Sequence, residues 1–454
     1  MTQTVSMPLW VFILILLFAA VTFASHFLFP SVRWFFRKRA ERVIERLNSR
    51  LQRPIEPFKL ARRYDMIQRL IYDPDVTEAI VEHARKEGIP ENVAFEQAKR
   101  YAREIVPSFS ATAYFTVGAR LAKWLSKAFY RVRLGQFDRK ALEKIDPDAT
   151  VIFVINHRSN MDYVLVTYLV SRAGALSYAV GEWARVWPLS GIIRAMGAYF
   201  IRRRSRGALY RKVLARYVQM ATDGGVTQAM FPEGGLSLTG RLGEPKLGLL
   251  NYIVSDRKSD ARDVIFVPVG LNYDRIFEDK FLVRADQTGV RKFRPPLGKI
   301  IGGTLSHIWL RITGRFKGFG TASVGFGTPL ELSSLAPDRP DLTEAIGAEL
   351  MKRIAAVVPI LAGPLVSHVL LSGPPRTTSA LVQEVDAILQ SLKDRKMPTP
   401  RRKAQELVTQ MTARLERRGL VSESDGTVTV TEEGRPILQY YANTIAHHFE
   451  TDPT

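Results

Sequence analysis

His157 and Asp162 lie five positions apart in VIFVINHRSNMDYVLV, residues 151–166. An imidazole held by a carboxylate has a fixed tautomer and orientation, and it can take a proton from an alcohol as a general base without any serine. In a continuous helix, positions five apart point roughly 140° away from each other, so the pair needs a break between its members. The sequence supplies one. Val151 to Ile155 reads as a buried strand, Asn156-His157-Arg158-Ser159-Asn160 as a turn, and Met161 onward as an apolar helix. His157 is thereby predicted at a strand's carboxyl end, the edge where open α/β sheets bind ligands. Ser159-Asn160-Met161-Asp162 equally fits an amino-terminal capping box in which Asp162 satisfies backbone donors, and both readings stand at this point.

Three further stretches fall in loops after predicted strands. Gly197-Ala198-Tyr199-Phe200-Ile201-Arg202-Arg203-Arg204 puts three guanidinium groups where they could hold a phosphate bidentately. Phe231-Pro232-Glu233-Gly234-Gly235 offers a carboxylate and two glycines that permit turns closed to other residues. Val267-Pro268-Val269-Gly270-Leu271-Asn272-Tyr273-Asp274-Arg275 ends a fourth strand.

The elements that must position these groups follow the alternation of a mixed or parallel sheet with crossover helices. Strands are predicted at residues 151–155, 175–180, 198–201, 227–231, 264–271 and 322–326. Helices are predicted at 162–171, 189–196, 207–222 and 247–255. The expected organisation is a transmembrane anchor at residues 1–30, a basic, membrane-proximal helical region at 31–134, an α/β catalytic domain at 135–335 and a mostly helical carboxyl-terminal region at 336–454. Within the last, Asp425-Gly426 signals a hairpin turn, so a small helix-and-hairpin module resembling a winged helix is expected there.

With 454 residues, 46% hydrophobic and 24% charged, the chain has the composition of a multi-region globular protein. The lack of cysteine removes disulfides, thiolate metal sites and a cysteine nucleophile together, and no metal is expected. A formal charge of +21 points to an anionic partner: lipid headgroups, phosphorylated substrates or nucleic acid. Met7 to Phe29 carries no Lys, Arg, Asp or Glu and is long enough as a helix to cross a bilayer. Ser31 to Arg63 then brings eleven Lys or Arg against three Glu, which predicts contact with anionic headgroups and places the bulk of the chain in the cytoplasm. Residues 111–134, ATAYFTVGARLAKWLSKAFYRVRL, read as a basic, aromatic helix that is either core-facing or interfacial.

Taken in order, the four stretches resemble the motif blocks of the glycerol-3-phosphate acyltransferase family. NHRSNMDY is similar to its His-x4-Asp block, GAYFIRR to the second, FPEGG to the third and VPVGLNYDR to the fourth. The ending LQYYANTIAHHF is similar to the tails of the larger bacterial members. The resemblance implies an α/β acyltransferase domain and direct transfer of a fatty acyl group from acyl-CoA or acyl-carrier protein to the sn-1 hydroxyl of glycerol-3-phosphate. Lysophosphatidate and dihydroxyacetone phosphate are the alternative acceptors, and a non-catalytic lipid-binding homologue is the alternative role. No cofactor is implied beyond the thioester co-substrate. His157 would be the base and Asp162 its support. Arg202, Arg203 and Arg275 would meet phosphate, while Glu233, Gly234, Gly235 and Pro268 would shape the pocket. The family's third block usually continues into Arg-x-Arg, but Leu236 and Leu238 stand here, so Arg241, Lys246 or the Arg202 cluster would have to substitute. A nucleic-acid partner would leave the apolar segment and all four blocks without a role, and none is expected.

Overall fold

The computed structural model describes residues 7–171, 173–181, 189–202, 207–258, 260–290, 318–335, 340–395 and 397–450, with backbone alone for residues 23–37, 40 and 41. Two compact units result, one of residues 1–55 with 172–174 and one of the remainder.

The first unit is built on one helix, α1 (Leu9–Asn48). The Asn48 side chain accepts from Ile55 N at 2.9 Å, and Arg53 N bonds Ala173 O at 2.8 Å. Among the described residues no single helix is long and apolar enough to cross a membrane, and the described apolar part of α1, Leu9–Thr22, falls short of a span. The transmembrane anchor expected over residues 1–30 is therefore not supported. The side chains of residues 23–30, which would lengthen the apolar run, lie outside those described.

The second unit is an α/β sandwich. Its sheet contains β1 (Arg131–Phe137), β2 (Thr150–Ile155), β3 (Ser177–Gly181), β4 (Tyr199–Ile201), β5 (Gln228–Met230), β6 (Val264–Tyr273), β7 (Thr321–Phe326) and β8 (Leu330–Glu331). The order is β1-β7-β6-β2-β5-β3-β4, with β8 on β6, and every neighbouring pair is parallel except β6 with β7 and β6 with β8. β2 and β6 are buried along their whole length, as unbroken apolar runs must be when helices cover both faces. Six strands and four helices lie where the sequence places them, within a residue or two at each end.

Pro268 occupies an informative place in β6. Its Cα partner is Val154 on β2, and its carbonyl accepts from Gly327 N at 2.8 Å on the opposite side. N and O of one residue point the same way in a strand, so the missing N–H faces the gap between β8, which ends its pairing at Ile265 and Phe266, and β7, which begins at Val269. Pro268 thus marks the change of strand partner inside the sheet.

Among the helices before the sheet are α2 (Arg63–Ile71), α3 (Pro74–Glu87) and α4 (Glu91–Ile105). α3 has its limits written in sequence, with Asp73 accepting from Asp75 N at 3.2 Å, Pro74 in the first turn and Gly88 left-handed at φ 63°. Ala94, Ala98 and Ala102 recur every four residues on α4, and all are fully buried. These helices share one core with Ile152, Phe266 and the helix α7 described below. Their small and apolar faces bury into the sheet domain, at roughly 1.5–3 kcal/mol for each large side chain. The 111–134 stretch is also divided: a π-helical turn (Ala113–Gly118) leads into α5 (Ala119–Phe129), and β1 begins at Arg131.

Among the later helices are α6 (Met161–Val170), α7 (Ala208–Asp223), α8 (Leu247–Val254) and α9 (Asp279–Thr288). The carboxyl-terminal region adds α10 (Leu342–Val357), α11 (Ala362–Leu371), α12 (Thr378–Asp394), α13 (Ala404–Glu416) and α14 (Arg435–Asn443). A small antiparallel sheet joins Arg376–Thr377, Val421–Ser424 and Thr427–Val430, and Asp425 and Gly426, at φ 49° and 72°, make the expected hairpin turn. α10 lies close against the sheet because Gly270 has no side chain: a Cβ there would stand 2.6 Å from the Val357 backbone.

Candidate active site

The turn between β2 and α6 brings the predicted pair together. His157 Nδ1 donates to Asp162 Oδ2 at 2.9 Å, and the two side chains are 2% and 0% exposed. A carboxylate only accepts, so Nδ1 carries the proton and Nε2 keeps its lone pair. Among the described residues nothing bonds Nε2. Asp162 also accepts from Arg158 N at 2.7 Å, Ser159 N at 3.0 Å and Tyr273 Oη at 2.6 Å. Asp162 thus orients the imidazole and anchors the turn. The capping hydroxyl is Ser159 Oγ, which accepts from Met161 N at 3.1 Å and donates to Glu278 at 2.9 Å.

The rest of the cradle is contributed from distant parts of the chain. Asn156 extends the β2–β6 ladder with its side chain, donating to Leu271 O at 3.0 Å and accepting from Leu271 N at 2.6 Å. Phe231 stacks on the His157 ring at 4.1 Å, and Tyr163 meets it edge-on at 5.5 Å. Glu233 Oε1 accepts from His157 N at 2.8 Å and Oε2 from Gly243 N at 3.0 Å, so this carboxylate ties the turn to the 231–243 loop. Gly234, left-handed at φ 67°, and Gly235 continue that loop, with Lys246 Cγ 3.0 Å from where a Gly234 Cβ would be. Asn160 N and Nδ2 both reach Glu278 at 3.1 Å, and burial pushes the Glu278 carboxyl up from its ordinary pKa. Tyr273, Glu278, Asn156 and Phe231 were not assigned roles from sequence. The signal for Tyr273 was available: β2 and β6 are parallel with Ile155 opposite Val269, so four residues further on Tyr273 must stand beside the turn. Among the described residues no cluster of three His, Cys, Asp or Glu is arranged to hold a metal ion.

Comparison with known proteins fits this geometry. A family model described as Acyltransferase matches residues 136–272, and one described as glycerol-3-phosphate acyltransferase C-terminal region matches residues 309–452. The chain is thus similar to glycerol-3-phosphate acyltransferases in both regions. A relative named glycerol-3-phosphate acyltransferase from Actinobacillus pleuropneumoniae serotype 3 is 28% identical over 425 residues, covering 86% of this chain and 50% of its own length. A second of that name, from Pseudomonas fluorescens, is 30% identical over 297 residues, covering 64% of this chain and 34% of its own. The chain spans about half the length, or less, of the curated relatives it matches. The crystal structure of the 1-acyl-sn-glycerophosphate acyltransferase of Thermotoga maritima aligns over 54% of this chain and 78% of that one at 19% identity, with a TM-score of 0.31.

The cations expected at phosphate have the following places. Arg202 leaves β4 to form a two-pronged pair with buried Glu104 on α4, at 2.8 and 2.6 Å, with Tyr101 and Tyr210 beneath its guanidinium. That pairing raises its pKa and commits it to holding the sheet's far edge. Arg203 lies outside the described residues. Arg275 stacks on Phe319 at 4.6 Å, and its pKa is lowered by burial and by Arg418. Arg241 is exposed and pairs with Glu450 at 2.6 Å, while its carbonyl accepts from Arg158 at 3.0 Å.

Tyr273→Phe deletes one of the four donors to Asp162 without touching the imidazole. A hydrogen bond to a charged group contributes about 1.5–3 kcal/mol, so kcat is expected to fall about tenfold with KM unchanged. Steady-state kinetics decide it: a raised KM at unaltered kcat would assign Tyr273 to substrate binding.

Proposed function

We propose that this chain transfers a fatty acyl group from acyl-CoA or acyl-carrier protein to the sn-1 hydroxyl of glycerol-3-phosphate. The observation that carries the reading is the buried His157–Asp162 pair at the carboxyl end of β2, with Nε2 carrying no bond to a described residue. Nε2 takes the hydroxyl proton as the oxygen attacks the thioester carbonyl. The new C–O bond forms, the C–S bond breaks, and the proton passes to the departing thiolate. Asp162 stabilises the intervening imidazolium, and Tyr273, Arg158 N and Ser159 N keep the carboxylate in place.

Arg202 is engaged by Glu104, so the cations adjoining the Glu233 loop are the better candidates for the acceptor phosphate. Lys246 is exposed, packs beside Gly234 and has no ion pair with a described residue, and Arg241 is next along the same loop. Lys246→Ala is expected to raise the half-saturating glycerol-3-phosphate concentration about tenfold, by loss of a charge-assisted contact. Arg202→Ala should leave that concentration unmoved and cost roughly 1–3 kcal/mol of stability instead. The reverse pattern would restore Arg202 to the phosphate site.

Leu236 and Leu238, partly exposed on the same loop, favour lysophosphatidate as a second reading, since they could border an acyl chain. Rates with a radiolabelled palmitoyl donor and each of glycerol-3-phosphate, dihydroxyacetone phosphate and lysophosphatidate decide between acceptors. No turnover with any would leave the non-catalytic reading.

Association with anionic lipid is part of the same proposal. Val117, Leu121 and Trp124 are exposed at 63%, 47% and 48% along one face through α5, flanked by Arg120 and Lys123. Co-sedimentation with anionic vesicles is expected to be lost on Trp124→Glu with Leu121→Glu; unchanged binding would remove this face from the proposal.

A further inference from the structure

One cavity does not contain His157. It has a volume of about 370 Å³ and lies among the start of β1, the start of β7, the amino-terminal end of α11, and α13 with the loop before it. Six cations line it: Lys127, Arg131, Arg133, Arg401, Arg402 and Arg414. Its one carboxylate, Asp274, is occupied by backbone, accepting from Gly363 N at 2.9 Å and Thr321 N at 2.6 Å. Arg402 donates to the Gln410 side chain. The side chains of Lys127, Arg131, Arg133, Arg401 and Arg414 make no hydrogen bond or ion pair with a described residue.

Bringing guanidinium groups together around a cavity without anions is electrostatically unfavourable. Burial, and then Arg131, Arg401 and Arg402, lower the pKa of Arg133, the direction expected for a cation crowded by its own kind. Guanidinium forks match the oxygens of phosphate, and a volume at the small end of ligand clefts suits a compact, multiply charged group. We infer that this cavity is a second ligand site, separate from the His157 centre, that binds a small anion carrying two or more phosphate groups.

The cavity and the dyad are joined by two rings. Tyr130 is part of the cavity wall, its ring lies 5.2 Å from that of Tyr273, and Tyr273 donates to Asp162. An occupant would therefore sit two rings away from Asp162, outside the His157 centre. Two sources share the required chemistry: the phosphorylated nucleotide half of a CoA-type donor, and a free polyphosphate anion.

Calorimetric titration of the full chain with inorganic pyrophosphate, CoA and pantetheine tests this without requiring turnover, so it fails or succeeds independently of the proposed reaction. Pyrophosphate and CoA are expected to bind and pantetheine, which lacks phosphate, is not. CoA binding ten times tighter than pyrophosphate points to the nucleotide source; equal affinities point to the free anion. Arg401→Gln is at an exposed position and should weaken binding about tenfold. Arg131→Gln with Arg133→Gln should weaken it further and, by relieving repulsion, should not lower the Tm of the ligand-free protein. Pyrophosphate should raise the wild-type Tm and leave that of the triple variant unmoved. Absence of binding by both phosphorylated probes at low salt, or undiminished binding by the triple variant, would overturn the assignment.

Discussion

Replacing His157 by alanine is expected to lower turnover by about 10²–10⁴ while leaving the α/β domain folded. The two parts of that outcome have separate causes. The rate falls because no other described group is hydrogen-bonded to Asp162 and able to accept a proton from the acceptor hydroxyl. The fold survives because the backbone of residue 157 keeps its own contacts in the turn, with N bonded to Glu233 and O accepting from Ser237 N at 3.0 Å. Asp162 would keep three of its four donors, so its charge would not be stranded. Asp162→Asn is a poorer probe: with its amide oxygen kept for His157, Arg158 N and Ser159 N, its Nδ2 would face Tyr273 Oη, whose proton would lose its acceptor. Each buried group so orphaned costs about 1–3 kcal/mol, and lost activity would be confounded with lost structure. Near wild-type activity in His157→Ala, with circular dichroism unchanged, would sink the assignment of the base.

Acid is expected to loosen the carboxyl-terminal segment well before it reaches ordinary carboxylates. His447 and His448 follow α14 and donate from Nε2 to carbonyls at the end of α10, Ala355 O at 3.1 Å and Val358 O at 2.9 Å. Burial pushes the His447 pKa down to about 3, with His448, Arg158 and Arg241 acting in the same direction. Burial lowers His448 as well, aided by Arg395, and lowers His368, which stacks on Phe449 at 4.5 Å. A histidine whose folded pKa is depressed contributes stability that is fully present above its unfolded value of about 6.5 and is lost as pH falls toward the folded value. At pH 5, His447 alone accounts for about 2 kcal/mol, whatever its folded value, provided that lies below 5. The urea midpoint should therefore drop between pH 7 and pH 5, and His447→Gln should flatten the curve. A midpoint constant over that window would show that these histidines do not hold the segment.

Much of the site was legible because its signals are local. A β-branched run, a turn of polar residues and an apolar helix are enough to place His157 and Asp162, and Asp425-Gly426 is enough for the hairpin. What could not be read depends on partners far along the chain. Arg202 looks like a phosphate ligand until Glu104 is found beside it, and nothing between the two announces the pair. β1 was concealed because its Arg131, Arg133 and Leu134 continue the basic, apolar rhythm of α5, and only its pairing with β7 makes a strand of it. The alanines of α4 read as neutral in sequence, yet their small size is what lets the helix lie in the core. Tyr130 behaves similarly: in sequence it ends an aromatic stripe, while in space it links the basic cavity to Asp162.

The docking of α14 on the His157 turn bears on when the centre is complete during synthesis. Gly240, left-handed at φ 83°, has no room for a Cβ because the Tyr440 carbonyl fills that place. The Arg158 guanidinium is fastened to the carbonyls of Gly240 and Arg241, Asn443 donates to Thr239 O at 2.8 Å, and Glu450 holds Arg241. The loop beside the base thus borrows its shape from a segment made roughly two hundred residues later, about 10–40 s afterwards at ordinary translation rates. Through that interval the nascent chain holds its imidazole in an unfinished cradle, and the carboxyl-terminal segment acts as the clock that ends it.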